Sequence, residues 1–274
     1  MRIFFREVTS VTEITKQLNR YKSDVTIMNI ETTDSIYIAS DFPLNHFYIK
    51  MGSVKNVLNA AMSISYWGGE GWKPAVNVND YTDGLSISGF VEFTPNRDAA
   101  WVNESTSSGG QSIDELSSIT VYDKYWTKIS FSAPLTPSIE IEWIGNIFSN
   151  DEDLFAEYPI FNDSTFLTAF EAGKTTWEEQ HVKAAGLIIQ DMKRKGIIIG
   201  PEQILDRSLM SPASVCKTAE IIFNSFGSDY ATQKQNARQE YDVRMDLSKF
   251  VVDTNNNAIV DSIDVVTKQG WLSR

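Results

Sequence analysis

Ser138-Ile-Glu-Ile-Glu-Trp143-Ile-Gly-Asn-Ile-Phe-Ser-Asn-Asp151-Glu-Asp153 is where the chain changes its period. Up to Trp143 the period is two. Ile139, Ile141 and Trp143 point one way and Glu140 and Glu142 the other, as in a half-buried antiparallel strand. Beyond Asp151-Glu-Asp153, read as an acidic hinge, apolar residues recur at helical spacing. The expected fold class is α+β in two segregated domains, an antiparallel β-sandwich over 1–150 and an α-helical bundle over 151–274.

Upstream of the change, the same alternation sets Ile129 and Phe131 on one face of Trp126–Phe131. Met62, Ile64 and Tyr66 alternate through Ala61–Trp67, and Ile36 and Ile38 mark Ser35–Ala39. Leu85-Ser-Ile-Ser88 reads as a strand continuing through Gly89 into Phe90-Val-Glu-Phe93. Turn chemistry separates these runs: Gly68-Gly-Glu-Gly71, Asn79-Asp80, Asp83-Gly84 and Thr94-Pro-Asn96. Short strands at such spacing predict a sandwich. Asn103–Ser112 offers nothing to bury and predicts a mobile loop. Val11–Tyr21 is open to a short helix or an edge strand, and with it whether the segment stays on its own sandwich or reaches a neighbouring subunit.

Downstream, Thr175 and Thr176 each have a glutamate three residues on, a capping-box pattern that opens a helix. Trp177, His181, Ala184, Ile188 and Met192 form its apolar stripe, and Lys193-Arg-Lys195-Gly196 ends it. Ser211-Pro212 reads as N-cap and first helical position of a second helix, which buries Val215, Ala219, Ile222, Phe223 and Phe226 before Gly227. Asp229 reads as the cap of a third, with Tyr230, Ala237, Tyr241 and Met245 inward.

Of 274 residues, 24 are basic and 36 acidic, a formal charge of −12. Phosphate backbones and anionic lipid surfaces repel such a chain, so sequence-general nucleic-acid binding is a poor expectation. One cysteine, Cys216, excludes an internal disulfide framework and a thiolate zinc cluster, and two histidines make a multi-histidine metal site unfavourable. Met1–Glu7 lacks the apolar core of a secretion leader, and the runs Ala184–Ile189 and Ile197–Ile199 fall far short of the roughly 20 residues of a membrane helix. A non-secreted protein with no membrane partner is expected.

Catalytic spacing is scarce. Gly173-Lys-Thr175 resembles the end of a phosphate loop, but the required first glycine falls at Thr168. Gly84-Leu-Ser-Ile-Ser-Gly89 has one residue too many for a nucleophile elbow. Cys216, near an apolar helical stripe, reads as packing, and His46 and His181 as packed or surface residues. Glu140 and Glu142 share a strand face with no acid partner. Asp253–Asp264 places oxygens at positions 1, 3, 5, 9 and 12 of a calcium-type loop. Ala258 stands where that loop needs glycine and Asp264 where it needs glutamate, so an Asx-rich turn between short strands is the better reading. Tyr66, Trp67, Trp72 and Trp101 suit a core or subunit interface better than a sugar platform. The expectation is no catalytic residue, no cofactor, no metal ion and no enzyme.

Two sets of stretches, one in each half, carry a resemblance. Asp34–Ile49, then Ser63-Ile-Ser-Tyr66-Trp67-Gly-Gly-Glu-Gly71-Trp72, then Ser88-Gly89-Phe-Val-Glu-Phe93 resemble a β-sandwich of tailed-bacteriophage virion proteins. Met192-Lys-Arg-Lys195, Gln203-Ile-Leu-Asp206, Pro212-Ala-Ser-Val215, Tyr241 and the tail Gly270-Trp-Leu-Ser-Arg274 are similar to helical head–tail connector (adaptor) proteins of the same viruses. A large sandwich ahead of the helices departs from adaptors that are helical throughout, which keeps a tail or baseplate component as the alternative, beside a carbohydrate-binding module for host attachment. The resemblance implies a structural virion protein of the neck, assembled in the host cytoplasm as a closed homo-oligomeric ring of about a dozen copies. Such a ring docks on the portal, meets tail or neck proteins and passes genomic DNA without binding it. Trp271 then either docks into the portal or next ring, or staples onto its own bundle.

Overall fold

The structure, a computed structural model, describes residues 1–8, 10–22, 25–106, 113–247, 250–261 and 264–266. The chain divides into two units, Met1–Gly145 with Asn255–Ile259 and Asn146–Thr254 with Val260–Arg274. The first is built of strands and the second of helices, an α+β chain with its β part first.

In chain order the strands of the first unit are β1 (Arg2–Glu7), β2 (Ser10–Glu13), β3 (Thr26–Met28), β4 (Ser35–Ser40), β5 (His46–Met51) and β6 (Met62–Trp67). They continue with β7 (Trp72–Pro74), β8 (Val76–Asp80), β9 (Gly89–Thr94), β10 (Tyr125–Phe131) and β11 (Ile139–Gly145). One sheet runs β2-β1-β4-β10-β6-β7 and the other β3-β11-β5-β9-β8, all pairs antiparallel. Cross-strand register puts Phe5 opposite Ile36, Ile36 opposite Ile129 and Ile129 opposite Ile64, one buried row across the first sheet. In the second, Met51 faces Ile141 and Ile49 faces Ile144, all buried. Period-two sequence thus supplies both inner faces.

Four expectations for this unit need correction. β4 is buried along its whole length, where a half-buried strand was expected. Its outward Tyr37 and Ala39 are covered with Phe4, Trp67 and Trp126 by Ile113, Leu116 and Val121 of the connecting segment. Second, β11 carries a bulge between Ile141 and Trp143, so that Trp143 pairs with Lys50 and turns to the outer face. There it packs at 5.7 Å on Tyr21 and 6.3 Å on Tyr48, and Ile144 takes its inward place. Third, Leu85–Ser88 is turn: the Asp80 carboxylate accepts from Thr82 N and Gly84 N, and strand begins only at Gly89. Fourth, Asn103–Thr106 is held, with Glu104 bridged to Lys124 and Thr106 buried. The rest of the loop predicted over Asn103–Ser112 lies outside the described residues.

Val11–Tyr21 proves to be both alternatives. Its first residues lie in β2, paired with β1 of the same chain, and Thr15–Leu18 form a one-turn helix, α1, that buries Leu18.

The second unit contains α2 (Asp151–Glu157), α3 (Ser164–Phe170), α4 (Glu178–Arg194), α5 (Arg207–Ser225) and α6 (Ala231–Leu247), then a small ladder of β12 (Phe250–Val251) and β13 (Val265–Val266). The stripe predicted for α4 is buried as expected, and the Gly196 end closes through Ile197 N on the Met192 carbonyl. The hinge expected at Asp151–Asp153 is instead the first turn of α2, capped by Asn150 and Asp153 in a reciprocal pair. α4 has Trp177 at its N-cap, not Thr175 or Thr176. α5 starts at Asp206, whose carboxylate accepts from Ser208 N and Leu209 N, and leaves Pro212 inside the helix. Asp229 belongs to a short 3₁₀ turn ahead of α6. Leu154, Phe161, Phe166, Trp177, Ile222 and Phe223 form the centre of the core, with Phe161 and Phe223 rings 4.9 Å apart.

Candidate functional site

Acid, imidazole and hydroxyl converge at one place in the helical unit. His181 Nε2 lies 3.2 Å from Asp151 Oδ1. On the other side of the ring, Nδ1 is 2.8 Å from Ser149 Oγ and 3.3 Å from Thr218 Oγ1, and Ser149 Oγ is 2.7 Å from Ser214 Oγ. The order acid–imidazole–hydroxyl is that of a nucleophilic triad. Yet His181 is 1% exposed and Ser149, Ser214 and Thr218 are 0% exposed, so the hydroxyls meet each other and no substrate. Asp151 also accepts from Thr176 Oγ1 at 2.6 Å and Trp177 N at 3.1 Å, which ties the start of α2 to the start of α4. Burial opposes its charge, but His181, Thr176 and Trp177 outweigh burial and hold its pKa below the usual aspartate value. The arrangement braces the bundle.

The remaining reactive candidates are also absorbed by structure. Cys216 is buried 3.8 Å from Tyr158 Oη and Glu157 Oε1, and burial pushes its thiol up to about 11, far from a thiolate. Lys174 of the phosphate-loop lookalike lies over Phe170 and Trp177, 5.0 and 5.1 Å from the ring centres. His46 is buried on β5, with Nδ1 2.8 Å from Asn45 Oδ1. The β11 acids turn to the sheet itself: Glu140 accepts from Ser53 and Val54, and Glu142 lies 3.5 Å from Lys50 Nζ. In the Asp253–Asp264 turn, Asp264 accepts from Thr254 N, Thr254 Oγ1 and Asp261 N, the Asx-capping expected of a turn. Ser262 and Ile263 of that stretch, and Trp271 with the rest of 267–274, lie outside the described residues.

The four aromatics of the supposed platform separate. Tyr66 is fully buried on the inner face, its hydroxyl donating to the Asn96 and Ala99 carbonyls, and packs on Trp101 at 5.0 Å. Trp67 and Trp72 lie together at the end of β6 and β7, 5.4 Å apart and edge-to-face.

The sheet edges differ in how they are protected. β2 presents Glu13 in a two-pronged ion pair with Arg2. β7 carries Lys73 and Pro74, and β8 is bent by a register shift between Val76 and Asn79. Charges, proline and irregularity each discourage pairing with another chain. β3, Thr26-Ile-Met28, has none of these, and Ile27 is 69% exposed beside the exposed Val25. Nothing in the sequence reading singled this segment out. An uncharged β-branched run at a sheet edge was its available signal.

No family model matches the chain, and no curated protein matches it. Among the described residues no helix is long and apolar enough to cross a membrane.

Proposed function

We propose that this chain is a structural virion protein of a tailed bacteriophage, a neck component whose copies join side by side into a ring between portal and tail. The observation that carries the reading is β3. It is a three-residue edge strand without charge, proline or bulge, and its exposed Ile27 with the neighbouring Val25 offers an apolar patch to a neighbouring copy. A head-to-tail contact of that kind generates a ring when its rotation closes. The motif resemblance of both halves supports the same reading, as does the burial of the triad-like set. The formal charge of −12 suits a conduit for DNA, since a wall that bound phosphates would hold the passing duplex.

The test is to express the gene in its own host background, purify particles and quantify the chain by mass spectrometry. The expected result is co-purification with portal and capsid proteins in a fixed ratio. Recovery only as free protein would overturn the proposal.

A further inference from the structure

Trp67, Gly69, Glu70, Trp72, Ile113, Asp114 and Glu115 line a cleft of about 370 Å³ on the outer face of the β unit. That volume is at the small end of ligand pockets, about 300–1,000 Å³. Its aromatic wall is the Trp67–Trp72 pair, with Trp72 fixed from behind by Tyr37 at 5.5 Å and by Lys128 Nζ at 5.5 Å from the ring centre. Its rim is acidic. Glu115 is held by Lys128 Nζ at 2.9 and 3.0 Å and by the Tyr37 hydroxyl, while Glu70 and Asp114 are exposed. Burial works against the Glu115 carboxylate, but Tyr37 and Lys128 outweigh it, so it stays an acceptor. Trp67 is more than nine-tenths buried and its indole nitrogen carries no accessible surface, so it backs the wall while Trp72 offers the more exposed ring.

We infer that this cleft binds a neutral saccharide. The ligand must offer donors to three carboxylates and an apolar face to Trp72. A sugar ring has hydroxyls that both donate and accept, and a C–H face that lies on an aromatic plane. An anion meets two exposed carboxylates, Glu70 and Asp114, and the nearby cation, Lys128, is already paired with Glu115. A quaternary ammonium meets the charges and the rings but gives the three carboxylates no hydrogen-bond donor, which sugar hydroxyls do. The site is separate from β3, so its fate does not depend on ring formation.

The experiment is ligand-observed NMR on the full chain with free glucose, galactose, mannose and N-acetylglucosamine, each alone, beside sialyllactose and tetramethylammonium. At least one neutral sugar is expected to bind saturably and to change tryptophan fluorescence. Trp72→Ala is expected to weaken it at least tenfold. Asp114→Asn, at an exposed position, is expected to weaken it several-fold with unchanged thermal unfolding, which keeps the test valid if Trp72→Ala fails to fold. No saturable neutral sugar, wild-type binding by Asp114→Asn, or preference for tetramethylammonium or sialyllactose would each overturn the inference.

Discussion

Single atoms decide stability at two places. Trp143, turned outward by the bulge, lies over Gly145 so closely that a Cβ there would fall 2.1 Å from its Cζ2. The indole cannot retreat without losing Tyr21 and Tyr48, so Gly145→Ala is expected to cost about 1–3 kcal/mol, read as a lower urea midpoint with altered tryptophan emission. Asp151 makes the second case through pH. Its pKa is lowered from 3.8 on folding, so it binds its proton less tightly folded than unfolded. Its contribution is complete above pH 3.8 and is lost as the pH falls through the lower folded value. The loss of urea midpoint below about pH 4 is therefore expected to be shallower in Asp151→Asn than in the parent chain, and an identical acid slope would refute this role.

Among the secondary-structure elements, the start of α5 separates sequence signal from structural outcome. Ser211-Pro212 has the right residues for a helix start, but Asp206 lies five residues earlier and accepts from two backbone N–H groups. Asp206→Ala is expected to lower stability by about 1 kcal/mol and Ser211→Ala to change it by less than about 0.5 kcal/mol, both read from denaturant midpoints. The reverse order would place the cap where the dipeptide suggested. Local patterns of this kind made most strands and the long helices legible. The Ile36, Ile64 and Ile129 rows and the stripe of α4 follow from period alone. What escaped depends on partners distant in sequence. The bulge that turns Trp143, the segment that covers Tyr37 and the aromatic core that stabilises the short α2 and α3 leave no periodic trace. The candidate surfaces were half legible: Trp67 and Trp72 stood out as aromatics, but their separation from Tyr66 and Trp101 depends on the strand face and the β6–β7 turn.

Across the whole molecule two terms oppose each other when copies meet. Each copy brings a formal charge of −12, a repulsion that salt screens within about 10 Å at 0.1 M. Against it stands the apolar contribution of Val25 and Ile27 beside the β3 edge, which salt does not weaken. If copies join through this edge, raising the salt from 20 mM to 500 mM favours the larger species, because only the repulsive part is screened. Analytical ultracentrifugation over that range is expected to show sedimentation moving to ring-sized species with salt. Ile27→Lys is expected to return the chain to its 30.9 kDa monomer with unchanged thermal unfolding, since the side chain is 69% exposed and supports no core. Assembly that loosens with salt would mean that complementary charges hold the copies, and assembly indifferent to Ile27→Lys would mean that another surface does. Either result would remove β3 as the joint between copies.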